Sequence, residues 1–186
     1  QGVLRICDGI CRDSHGASDA RHWAGGGRVD PSGVVKGWAV ERAADILRNS
    51  GARNFAINVG GDVLARGRVS PGSPWRVAIR HPDRSDRVAA VILAEDLAVA
   101  TSALTERGEH IVDPRTGRTP GGLLSMTVAG PNLTRADAFA TAAFVMGVAG
   151  VSWVAAIPSF AAYAITDEGH VIVSSAMAPL LDRAHA

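Results

Sequence analysis

Apolar positions along this chain repeat with two periods, and the changes of period mark where elements begin and end. Over 2–12, Val3, Leu4, Cys7, Ile10 and Cys11 gather on one side, which predicts the tail of an amphipathic helix. Val40, Ala43, Ala44 and Leu47 form a second stripe and predict a helix over 38–50, stopped by Gly51. Alternation then takes over, with Phe55, Ile57 and Val59 on one face of a strand over 54–59. Further strands are predicted over 75–80, 88–93, 97–102 and 126–129, with a charged turn over 81–87 between the first two. Helical spacing returns over 135–147, where Asn132 or Thr134 can supply the N-cap. The chain closes on a hairpin, 163–166 and 170–174, around Asp167-Glu168-Gly169. Strands outnumber helices. The expected class is α+β, antiparallel sheets packed with helices.

Several stretches carry polar groups that this patterning does not require. The segment GEHIVDPRTGRTP, over 108–120, cannot be regular helix, because Pro114, Gly117 and Pro120 interrupt it. His110, Ile111 and Val112 read as the end of a short strand. Asp113 then opens a tight turn in which its side chain can bond its own backbone and Gly117 can take positive φ. Over 30–37, Gly33 and Gly37 flank Lys36 in a predicted helix-entry loop. Backbone amides, helix dipole and ammonium there would suit a phosphate, although a solvated Lys in a plain entry loop fits too. Asp137 and Thr141 stand one turn apart on an otherwise apolar helix. They read either as a capping Asp and a back-bonding hydroxyl, or as an oxygen pair of the kind Mg²⁺ takes. Asn58-Val59-Gly60-Gly61-Asp62 reads equally as a hairpin bend or as a place where a ligand approaches backbone closely. His15-Gly16-Ala17-Ser18-Asp19 reads as a turn, and 23–27 as a loop.

With 186 residues the chain is long enough for one domain with a substantial core. A net charge of +1 leaves no basic footprint for nucleic acid or an anionic membrane surface. Apolar runs are broken by Gly, Thr or Asp, so no transmembrane segment is expected. Cys7 and Cys11 share a helix face. His15 alone does not complete a zinc site with them. Opening at Gln1 without a signal-like segment, the chain reads as a fragment or processed form.

Taken together and in order, the stretches at 30–37, 108–120 and 136–141 resemble the FAD:protein FMN transferases, the ApbE family. The resemblance runs from about Gly16 to the C-terminal hairpin and implies a tandem T-fold-like architecture. It implies that 1–186 is a single such domain lacking an N-terminal portion that helps to form the flavin site. Residue by residue, it implies FAD contacts at Ala17, Ser18, Asp19, Asp30, Lys36, Asn58, Gly60, Gly61, His110 and Ile111. Ser18 stands where a Phe is usual, and Ala103 where Gly is common. Mg²⁺ is implied at Asp137, Thr141 and the backbone carbonyl of Gly33. The implied reaction splits FAD, releases AMP and joins FMN through its phosphate to a Thr of an acceptor protein, with His110 as base and Lys36 offsetting phosphate charge. Two other outcomes fit nearly the same residues: an FAD pyrophosphatase yielding FMN and AMP, and an FAD-binding protein without turnover. Exported, membrane-tethered relatives and cytoplasmic residence are both compatible with these residues.

Overall fold

The computed structural model describes residues 2–21, 29–103 and 111–185. Two helices open it, α1 (Val3–Asp13) and α2 (Ser32–Asn49). Strands β1 (Phe55–Val59) and β2 (Asp62–Arg66) form a hairpin whose turn glycines, Gly60 and Gly61, take φ of 58° and 92°. A second hairpin, β3 (Trp75–His81) with β4 (Arg84–Ala94), follows. Then come β5 (Ala98–Ala103), β6 (Leu123–Gly130), α3 (Leu133–Val145), α4 (Ala149–Ala155), β7 (Ala161–Thr166) and β8 (Val171–Val173). The class is α+β, as expected.

Six strands make one sheet in the order β1-β2-β5-β6-β7-β8, every neighbouring pair antiparallel. The β3–β4 hairpin is a separate two-stranded sheet. The two-residue period of a strand divides the core between two layers. In β5, Ala98 and Ala100 pack with the helices, while Val99 joins the layer of β3 and β4. In β7, Ala162 and Ala164 pack with the helices, and Ala161, Tyr163 and Ile165 with that hairpin. Covered on both faces, β6 and β7 need apolar residues in near-continuous runs; the outermost strands β1 and β8 do not.

Helix α3 is buried on nearly every side rather than along one stripe, and small Ala side chains let its neighbours come close. Asn132 caps it by accepting the Arg135 N–H at 3.0 Å. Helix α2 crosses its first turn at Gly37. A Cβ there would lie 2.7 Å from the Leu133 carbonyl oxygen and from Thr134 Cα. That crossing sets Lys36 beside α3.

Several expected boundaries shift. Helix α2 starts at Ser32, not at Trp38, so most of 30–37 is helix rather than loop. Asp30 turns the chain into it, its Oδ1 accepting the Ser32 N–H at 2.9 Å. Strand β2 and helix α4 were not foreseen: β2 is short and buried on both faces, and α4 has only seven residues. Strand β4 begins at Arg84, which pairs with His81 next to the hairpin turn, and the register shifts before Val88 pairs with Arg80. Ile111 and Val112 are irregular rather than strand; pairing resumes only as a bridge between Asp113 and Arg118. His110 and the loop expected over 23–27 lie outside the described residues.

The helix crossing yields a paired test. Gly37→Ala should lose about 1–3 kcal/mol, because backbone must move to admit one methyl. Gly33→Ala, with nothing within 4 Å of its Cβ position, should stay within about 0.5 kcal/mol of the parent. Urea unfolding of both variants measures this, and equal stabilities would refute the crossing as described.

Candidate functional site

A cavity of about 400 Å³ opens where the turn after α1, the first turns of α2, the β1–β2 turn, the end of β5 and the middle of α3 meet. It gathers most residues singled out from the sequence. Ala17, Ser18 and Asp19 line it from the turn after α1. Asp30, Gly33 and Lys36 line it from the start of α2, Gly60 from the hairpin, and Ile111 from the irregular segment. Asp137 and Thr141 line it from α3. Asn58 and Gly61 are not among the lining residues; Asn58 Oδ1 instead accepts the Gly61 N–H at 3.2 Å and shapes the turn. His110 belongs to the undescribed residues next to Ile111.

Three charges meet at the cavity. Lys36 Nζ lies 2.5 Å from Asp62 Oδ2 and 3.5 Å from Asp137 Oδ1. Asp62 is 1% exposed and Asp137 6%. Asp62 Oδ1 accepts the Thr101 N–H of β5 at 3.2 Å, while Asp137 Oδ2 is buried without a hydrogen-bond partner. Burial, reinforced by the neighbouring Asp62 charge and opposed by Lys36, pushes the Asp137 carboxyl up to about 7. Burial also raises Asp62, against the pull of Lys36. Burial alone would depress the Lys36 ammonium, but Asp137 and Asp62 outweigh it and the net shift is upward. Two carboxylates share one cation. The site is left short of positive charge.

Hydroxyls surround this cluster. Thr141 Oγ1 lies 3.1 Å from Ser102 Oγ and donates to the Asp137 carbonyl oxygen at 3.3 Å. Among the described residues no group of three or more His, Cys, Asp or Glu forms a metal cage. The donor set is instead a buried carboxylate with one unpaired oxygen, Asp137 Oδ2, and the Thr141 and Ser102 hydroxyls at the same cavity. That suits Mg²⁺, which takes few protein oxygens and keeps water or substrate phosphate for the rest. A thiophilic metal has no such set here, since Cys7 and Cys11 are free thiols on α1 and belong to no group of three or more His, Cys, Asp or Glu among the described residues.

The turn at 113–117 forms as expected and walls the cavity through Pro114. Arg115 clamps Asp113 with Nε and Nη2 each 2.9 Å from a carboxylate oxygen, which holds that carboxyl below its usual range. Gly117, at φ 69°, donates its N–H to the Asp113 carbonyl. Asp113 and Arg115 therefore spend their charge on each other. Asp62, Thr101 and Ser102 were missed in the sequence. A signal for the cluster existed in composition, because Lys36 is the one lysine among 19 basic residues.

The ApbE family model matches residues 9–164. An FAD:protein FMN transferase of Vibrio cholerae is 37% identical over 129 residues, 64% of this chain and 39% of the relative. One from Escherichia coli K12 is 34% identical over 151 residues, 76% of this chain and 43% of the relative. The chain thus spans about two-fifths of the length of the curated relatives it matches. Among solved structures, the flavin transferase ApbE from Vibrio cholerae superposes with a TM-score of 0.82 at 26% identity, over 96% of this chain and 75% of that one. The ApbE protein of Thermotoga maritima superposes at 0.75 with 30% identity, over 84% and 54%. Sequence and fold agree along most of the described length, and the chain belongs to the ApbE family.

Proposed function

We propose that this chain acts in Mg²⁺-dependent flavin transfer, splitting FAD and joining FMN through its phosphate to a threonine of an acceptor protein while AMP leaves. The observation that carries the reading is the Lys36–Asp62–Asp137 cluster, of which Lys36 and Asp137 line the cavity at the start of α2. A diphosphate brings negative charge that such a site can hold only with added cations. Asp137 and Thr141 would hold Mg²⁺, with Gly33 at the same cavity from the first turn of α2. Bound there, the ion would supply charge neutralisation on the diphosphate oxygens.

This chain's own residues then have distinct work. Lys36 stabilises phosphate oxygens from the helix side. Ala17, Ser18, Asp19, Asp30, Gly60 and Ile111 shape the walls that receive the flavin nucleotide, with Asn58 and Gly61 setting the hairpin turn behind Gly60. His110 takes the proton of the threonine hydroxyl as its oxygen bonds to the FMN phosphorus. The bond from that phosphorus to the AMP oxygen breaks, and AMP carries away the electron pair. Incubation with FAD and Mg²⁺, with and without a threonine-bearing acceptor, tests the reading. Covalent flavin on the acceptor with stoichiometric AMP is expected. AMP and FMN without labelled acceptor would make the chain a pyrophosphatase, and unchanged bound FAD would make it a binding protein.

Asp137 gives a prediction with a definite sign. A cation must displace the proton held up to about pH 7, so Mg²⁺ affinity should rise as pH climbs through that value. Between the ordinary value of 3.8 and about 7 the folded chain keeps a proton that the unfolded chain releases, so metal-free stability should fall across this window. Asp137→Asn should abolish Mg²⁺ binding and lessen the stability slope, leaving the part that the raised Asp62 contributes. Calorimetry and unfolding at several pH values read both; unaltered affinity in the variant would remove Asp137 from the metal site.

His110→Asn should retain FAD and Mg²⁺ yet slow transfer by about 10²–10⁴-fold. With Mg²⁺ saturating, Asp137 stays ionised, and the remaining rise of rate with pH reports the imidazole losing its proton. Single-turnover transfer against pH should show that rise in the parent and not in the variant. A rising limb that survives the substitution would assign His110 to binding.

A further inference from the structure

We infer that Asp62 is a positioning residue: it draws the Lys36 ammonium toward itself and so leaves the Asp137 carboxylate less engaged and available to a divalent cation. The inference rests on the proposed reading that Asp137 holds Mg²⁺.

The geometry separates the two carboxylates. Asp62 Oδ1 accepts the Thr101 N–H at 3.2 Å, and its Oδ2, which makes no hydrogen bond, is ion-paired with Lys36 Nζ at 2.5 Å. Asp137 comes nearest to Lys36 at Oδ1, at 3.5 Å, and its Oδ2 has no hydrogen-bond partner. Of the two carboxylates, Asp137 is the one that the ammonium engages less closely. Asp62 is also fixed in place. It is the first residue of β2, paired with Val59 directly after two positive-φ glycines, and it is tied to β5. Lys36, by contrast, reaches in from α2 on a flexible stem with 27% of its side chain exposed. Its ammonium settles on whichever carboxylate attracts it most.

Remove the charge of Asp62, and the nearest carboxylate left for Lys36 is Asp137. The ammonium would then compete with Mg²⁺ for the same group. Asp62 thus governs cation affinity through Lys36 without touching the cation, as residues behind metal ligands commonly do.

Calorimetry with Mg²⁺ alone as the probe tests this at one pH, on the wild type, Asp62→Asn, Lys36→Met and the double variant. Asp62→Asn should bind at least about tenfold more weakly. The double variant keeps the pair electrically neutral, as in the wild type, and should return to within about threefold of it. Lys36→Met alone should bind at least as tightly as the wild type. A double variant as weak as Asp62→Asn would make Asp62 a ligand or a structural prop, and overturns the inference. So do an unaffected Asp62→Asn and a weakened Lys36→Met. Neutral isosteres usually replace a buried ion pair without loss of stability, so the double variant should unfold cooperatively. Its failure to fold would likewise overturn the inference in favour of a structural role. Absence of Mg²⁺ binding by the wild type would overturn the metal reading itself; wild-type binding with any contrary variant result overturns only the role of Asp62.

Discussion

One ammonium held between two buried carboxylates is the constraint on which the site depends. Lys36 comes from α2, Asp62 from β2 and Asp137 from α3, three elements distant in sequence. Taking three charges out of water is costly, and leaving any one of them alone would cost more. The surrounding fold is arranged to keep them together. Gly37 lets α2 cross α3 at backbone contact, so that Lys36 arrives beside Asp137. The Gly60-Gly61 turn brings Asp62 back under the same ammonium. The small residues here serve the charges.

The rest of the molecule divides into a rigid part and a shaped edge. The six-stranded sheet is covered on one face by the helices and on the other by the β3–β4 hairpin. The cavity lies at the border of this slab, where turns rather than strands supply the walls. The Asp113–Arg115 clamp stiffens one such wall, and the Ser14 side chain does the same for the turn after α1 by accepting the Ser18 N–H at 3.2 Å. Local hydrogen bonds give these walls the definition that a sheet would otherwise provide.

Legibility in the sequence followed the range of the interaction. Features set by neighbours in the chain were readable: the cap at Asn132, the turn at 113–117 and the alternation of β1. So was the placing of Asp137 and Thr141 on one face of α3, since that is helix geometry. Asp62 was not readable as a site residue, because nothing local distinguishes it from the polar end of a hairpin turn. Its burial comes from β5 and α2, neither of which is near it in sequence. The start of α2 was misplaced for a related reason. Pro31, Ser32 and Gly33 look like loop, yet Pro tolerates a helix entrance and the cross-over onto α3 stabilises the turns that follow.

The choice of Lys at position 36 is itself informative. Eighteen of the 19 basic residues are Arg, so composition alone would put Arg there too. A guanidinium is a broad planar fork that fixes two carboxylate oxygens at once, as Arg115 does with Asp113. At position 36 such a fork could engage Asp62 and Asp137 together and would take up the Asp137 oxygen that now has no hydrogen-bond partner. An ammonium is a compact point charge that can sit against one carboxylate and leave the second largely alone. The geometry, 2.5 Å to Asp62 and 3.5 Å to Asp137, is the asymmetry that a compact charge permits. In a chain that otherwise uses arginine throughout, the one lysine stands where a cation must neutralise without capturing everything around it.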